Sequence, residues 1–251
     1  SMEHRKYLIG GLLVLSLAFY RANAAAHVIV TPDDTQGWFA RASNTGTVEL
    51  SAEQVRGAGT GSLKMSTDGS DGQVVKAARI PLITIDSITS ISWDLYVDSS
   101  GSAATYPRPQ LEYYSLSQNR SGTLVYDISN LSPGTDSWQS VSVDLNSDLF
   151  WSTEFGPGDT RTLAAWQTDL SGVLMNYFQL GMGSTSGPVP EVISYIDLVE
   201  LNGTTWDFEG EAPLAPEPTA TSVPTLSQWA LIAMVGLLAL FGFASLRNRS
   251  S

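Results

Sequence analysis

Apolar and polar residues alternate along most of this chain in short runs, broken by Gly, Ser, Asp and Asn clusters. A period of two predicts strands rather than helices. The clearest run is 88–97, where Ile91, Trp93, Leu95 and Val97 fall on one face and Ser92, Asp94 and Tyr96 on the other. The same reading predicts strands at 27–31, 45–50, 62–66, 73–80, 108–116, 123–126, 137–145, 173–182, 192–201 and 204–208. In 108–116, Leu111 and Tyr113 oppose Glu112 and Tyr114; in 173–182, Leu174, Phe178 and Leu180 are expected to share a face. One or two helical turns are expected at 163–170, where Trp166 and Leu170 stand four apart. Short antiparallel strands without crossover helices predict an all-β chain folded as a two-sheet antiparallel sandwich. Trp38, Trp93, Trp138 and Trp206 are expected in its core.

Two longer apolar stretches, one at each end, break the alternation. The run from Trp229 to Leu246 holds eighteen residues without a charge, followed by Arg247 and Arg249. At 1.5 Å per residue it would cover roughly 27 Å, close to the ~30 Å hydrocarbon core of a bilayer. The arginines beyond it predict a cytoplasmic end, which puts the rest of the chain on the far side of the membrane. At the other end, His4, Arg5 and Lys6 precede an apolar stretch from Tyr7 to Tyr20 and small residues at 22–26. That is the pattern of a secretory signal peptide, expected to end at Ala24 or Ala26. The chain thus divides into a signal peptide at 1–26, a sandwich at 27–209, a Pro-rich acidic linker at 210–223 and a membrane-directed tail at 224–251. The linker is expected to be extended.

The tail carries a specific resemblance. Val223, Pro224, Thr225, Leu226, Ser227, Gln228, Trp229 and Ala230, followed by an apolar helix and Arg247-Asn248-Arg249, resemble the IPTL-CTERM sorting signal of Gram-negative bacteria. Val223, Gln228 and Ala230 depart from its usual Ile, Glu and Gly. The resemblance implies a membrane-anchored precursor, recognition by an exosortase-type protease, and delivery to the cell surface or extracellular matrix, as for a biofilm component. The body shows a looser likeness. Gly37-Trp38, Gly61 to Met65, Ser92 to Tyr96, Trp138 to Val141 and Tyr195 to Leu201 resemble, in order, a galactose-binding-like jelly roll of the carbohydrate-binding-module type. A legume-lectin-like sandwich is the neighbouring alternative.

Charge and composition narrow the chemistry. Between His27 and Ala230 stand 24 acidic and eight basic residues, a balance near −16. Such a surface repels nucleic acid and anionic headgroups. There is no cysteine, and the histidines are His4, in the signal peptide, and His27, at the start of the body. Ser-His-Asp hydrolysis and histidine-ligated zinc are therefore not expected. Glu112, Glu154, Glu191 and Glu200 could supply a carboxylate pair for glycoside hydrolysis. No Glu-x-Asp-x-x-Glu run supports it, and a non-catalytic body is expected.

Two candidate sites remain. Asp197 alternates with Val199 and Leu201, so simple counting buries its carboxylate, and an unpaired buried carboxylate is costly. A structural calcium ion would relieve it. The jelly-roll resemblance implies such an ion where first and last strands meet, with Asp33, Asp34, Asp68 and Asp71 as partners. The alternatives are a bulge at Leu198 that turns Asp197 outward, or a hydrogen bond to a Ser or Tyr. The second site is a carbohydrate surface. Tyr96, Tyr106, Tyr113, Tyr114 and Trp151 lie at polar-facing or loop positions and could stack on sugar rings, with Glu112 fixing hydroxyls. A purely structural surface protein without a small ligand is the competing reading.

Overall fold

A computed structural model describes residues 26–101, 105–184 and 187–218. In chain order its elements are β1 (Ala26–Val30), β2 (Phe39–Ala42), β3 (Thr47–Ser51), β4 (Ser62–Thr67), β5 (Val74–Arg79), β6 (Ile91–Val97), β7 (Arg108–Ser115), β8 (Arg120–Tyr126), β9 (Gln139–Ser142), β10 (Leu149–Ser152), β11 (Gly156–Thr162), α1 (Leu163–Asp169), β12 (Leu174–Gly183), β13 (Val192–Leu201), β14 (Thr204–Phe208) and β15 (Ala212–Pro213). The signal peptide, the apolar tail and the sorting motif lie outside the described residues. Among the described residues no helix is long and apolar enough to cross a membrane.

The strands form the expected sandwich. One sheet runs β11-β10-β8-β7-β12-β5-β2. The other is centred on β13, which pairs with β6 along one edge, β6 in turn carrying β9. The other edge of β13 is shared: its first half pairs with β4 and its second half with β14. From β4 the sheet continues through β3 to β15, and from β14 to β1. Ladders between these strands are antiparallel except β1 against β14. The inward faces make one core, with Val48, Leu50, Leu63, Met65, Ile91, Trp93, Leu95 and Val97 meeting Val75, Leu111, Leu124, Phe150, Phe178 and Leu180. These are the alternating positions, so period-two patterning set the inner faces of most strands. Trp38 joins the two sheets at one end, its ring 6.0 Å from Phe178 and 5.3 Å from Phe208, both edge-on. Helix α1 begins where the Thr162 hydroxyl accepts from the Ala165 N–H at 3.3 Å, and it buries Trp166, whose indole donates to the Phe150 carbonyl.

The structure departs from the pattern in four places. In β12 the register against β7 shifts between Met175 and Tyr177. The extra residue turns Leu174 outward, 54% exposed, and puts Met175 in the core with Phe178 and Leu180. A bulge flips every side chain on one side of it, and period counting cannot see it. Strands β2, β10, β11 and β15 lie in stretches the pattern left as loop or linker. The first half of the linker is packed rather than extended: β15 pairs with β3, and Leu214 is buried in the core. Trp138 is half-buried outside the core, its ring 5.7 Å from Tyr96.

Candidate functional site

The residues expected to hold a cation do not converge. On β13, Leu198 takes a left-handed φ of 46° and the register against β6 slips between Asp197 and Glu200. This bulge moves Asp197 off the face of Val199 and Leu201 and aligns it with Tyr195 instead. The side chain is nonetheless fully buried, because it sits where β4 ends and β14 begins along one edge of β13. The two strands separate at this fork, and close approach there requires Gly61, whose Cβ would lie 2.6 Å from the Gly210 carbonyl oxygen. Asp197 Oδ1 accepts from the backbone N–H of Leu198 at 2.8 Å and of Phe208 at 2.9 Å. The carboxyl group thus replaces a missing ladder carbonyl. Asp197 Oδ2 is buried without a donor. Burial pushes this carboxyl up to about 8, offset in part by the two N–H donors and reinforced by Asp207 and Glu209. Burial and Glu209 raise Asp207 as well, against the pull of His27, whose Nε2 lies 3.1 Å away.

The other four aspartates are elsewhere. Asp68 and Asp71 follow the end of β4 that pairs with Val192. Five residues of strand separate Val192 from Asp197, about 17 Å. Hydrogen bonds from Thr45 and Ser70, with a further one from Gln73, hold the Asp68 carboxyl below the usual carboxylate range. Asp33 and Asp34 are exposed in the turn after β1, where Asp34 accepts from the Gln36 backbone and side chain. Among the described residues no three acidic or histidine side chains are grouped to hold a metal ion.

The expected ligand-binding residues divide. Tyr106 is 6% exposed and donates its hydroxyl to the Leu131 carbonyl, so it is packing. Tyr113 faces the core side of β7 and is hydrogen-bonded to Ser152 and Glu154, each at 2.7 Å. Burial pushes its phenol up to about 12. Tyr96 lies on the outward face of the other sheet, between Trp138 and Tyr195. Glu112, Tyr114 and Trp151, by contrast, share the outward face of the β7-containing sheet.

That face is built by strand register. Glu112 stands opposite Tyr177, Gln110 opposite Gln179 and Arg108 opposite Gly181. Across β12, Gln179 faces Ala78 and Gly181 faces Lys76; β2 then adds Phe39 and Arg41. On the far side, Gln110 pairs with Val125 and Val125 with Trp151. Gly181 leaves room for its neighbours: a Cβ there would lie 2.8 Å from Gln110 Nε2 and 2.9 Å from Lys76 Cγ, so the missing side chain lets these two lie across the strand. Arg41 organises the middle. One of its terminal nitrogens donates to Glu112 at 3.0 Å and to Gln179 Oε1 at 3.2 Å, while the guanidinium lies 4.4 Å over the Tyr177 ring. Phe39 meets the same ring edge-on at 6.0 Å.

The polar groups here are unusually desolvated. Gln179 is fully buried, and its Nε2 donor has no acceptor; nor has Arg108 Nε. Burial lowers the pKa of Lys76, helped by Arg41, and that of Arg108. An unmet buried donor costs about 1–3 kcal/mol. Such groups call for a partner such as a bound water, an ion or a ligand group. Arg41, Lys76, Arg108, Gln110, Tyr177 and Gln179 escaped the sequence reading. The alternation of Tyr177, Gln179 and Gly181 against Phe178, Leu180 and Met182 was its available signal.

Comparison with known proteins finds likeness at both levels. No curated protein matches the sequence. Among solved structures, a family 11 carbohydrate-binding module of the cellulosomal cellulase Lic26A-Cel5E from Clostridium thermocellum aligns at 14% identity, with 69% of this chain and 90% of that one covered and a TM-score of 0.42. A structure described as a carbohydrate-binding module of the β-sandwich superfamily aligns at 14% identity, over 66% of this chain and 56% of that one, at a TM-score of 0.40. Residues 221–249 match the IPTL-CTERM motif, so the C-terminal segment of this chain carries that sorting signal.

Proposed function

We propose that this is an exported surface protein whose sandwich binds neutral polysaccharide on the outward face of the β7-β12-β5 sheet. The IPTL-CTERM segment supports the first half: its residues imply a membrane-anchored precursor processed by an exosortase-type protease. The second half rests on one observation, the row of buried, unmet polar donors beside aromatic rings. Gln179 Nε2 and Arg108 Nε lie beneath the face, where sugar hydroxyls would reach them once the side chains over them shift, and aromatic rings at Tyr177, Tyr114 and Trp151 would border the chain. Glu112 already engages Arg41, and burial lowers the pKa of the other two cations of the face, Lys76 and Arg108, which favours a neutral polyol over a ligand that needs a strong counter-charge. The reading is non-catalytic: at the outward positions of β2, β5, β7, β8, β10 and β12, Glu112 is the one carboxylate, and glycoside hydrolysis uses two.

A glycan array read with and without a calcium chelator tests this. Wild-type protein is expected to retain a neutral polysaccharide, Y177A and Q179A to lose at least about tenfold in affinity, and W138A, on the opposite sheet, to be unchanged. Equal losses in Y177A and W138A, or no retained glycan, would overturn it. Loss of binding on chelation alone would bring a cation into the site.

A further inference from the structure

A cavity away from that face holds a cation that has no counter-charge among the described residues. It has a volume of about 310 Å³ and opens beside the β13–β14 turn, between β1 and the segment after β5. Its wall includes Arg79, Trp206, Val28, Ile83, Leu201 and Thr204. The Arg79 guanidinium lies 4.2 Å over the Trp206 ring. Its Nε–H is buried and meets no acceptor. Burial alone depresses its pKa. Among the other described arginines, Arg41, Arg56, Arg120 and Arg161 each reach a carboxylate within 3.4 Å. Arg108, on the polar face of the β7-containing sheet, shares the unmet Nε of Arg79 but lines no part of this cavity. Acids outnumber bases by 25 to 13 in the chain, yet among the described residues no carboxylate pairs with Arg79, whose pKa is moved by burial alone. A guanidinium offers five donors in a planar fork matched to a carboxylate, and here one of them, the Nε–H, is buried without an acceptor.

We infer that this cavity binds a small organic carboxylate with a compact apolar body, its charge on Arg79 and its body against Val28, Ile83 and Leu201. A sugar acid fits less well, because most of the polar wall is already engaged. Asn202 accepts from Thr89 and donates to the Ser87 carbonyl, and the Gln36 amide donates to Asp34. Few groups remain for a ring of hydroxyls.

Calorimetric titration of the full chain with benzoate, benzamide and glucuronate tests the inference. Benzoate is expected to bind at least tenfold more tightly than its uncharged isostere benzamide and than glucuronate, and R79Q to lose that preference for benzoate over benzamide. Equal affinity for benzoate and benzamide in the wild type would overturn the role of the charge, whatever the stability of R79Q. Glucuronate binding as tightly as benzoate would overturn the apolar body, and an unchanged preference in R79Q would overturn the assignment to Arg79. Absence of heat with all three would overturn the site.

Discussion

Asp197 shows how one residue can be buried for a reason its neighbours in sequence do not state. Its carboxyl closes the fork between β4 and β14 by taking the Phe208 N–H, and it shares its surroundings with Asp207 and Glu209. Folded, it holds its proton up to about pH 8; in the unfolded chain an aspartate releases it near 4. Between those values the native state binds the extra proton, so raising pH favours unfolding. The melting temperature is therefore expected to fall as pH rises from about 4 to 8, and D197N to flatten that slope, since an amide keeps the acceptor and carries no charge. Calorimetric scans of both proteins across the range check this. A slope unchanged in D197N would show that another group titrates.

Elements in this fold are fixed as much by their ends and interruptions as by their faces. Helix α1 is seven residues long, about two turns, and the Thr162 hydroxyl caps it. T162A is expected to cost about 1 kcal/mol in urea unfolding. The packed part of the linker is a larger contributor. Leu214 is 4% exposed and β15 lies on the edge of β3, so L214A is expected to cost about 2–5 kcal/mol in the same measurement. A surface linker residue would change stability by less than about 0.5 kcal/mol. Bulges at Leu198 and near Asn176 show why alternation located these strands yet misassigned Asp197 and Leu174. A local insertion of one residue leaves composition and hydrophobicity unchanged and reverses the face.

At the scale of the molecule, the sorting signal and the sandwich are expected to be separable. Residues 221–249 carry the sorting signal, and among the described residues the last member of the sandwich core is Leu214. Removing the signal is expected to move the protein from the membrane and surface fractions into soluble ones while leaving its melting temperature within about 2 °C, as fractionation and calorimetry would show; a large loss of stability would tie the tail to the fold. The acidic body gives no reason for nucleic acid to bind, and on the polar face of the β7-containing sheet Glu112 is already engaged by Arg41.

By itself the sequence determined the architecture and the address. Alternation is a one-dimensional consequence of strand geometry, so Ile91, Trp93, Leu95 and Val97 declare their face without help from the rest of the chain, and the sorting signal is a contiguous motif. What tertiary structure alone decided was which outward residues meet. Arg41, Glu112, Tyr177 and Gln179 come from three strands, and Arg79 finds Trp206 across 127 positions. Their proximity follows from sheet order and register, which depend on long-range pairing and on bulges that local pattern does not encode.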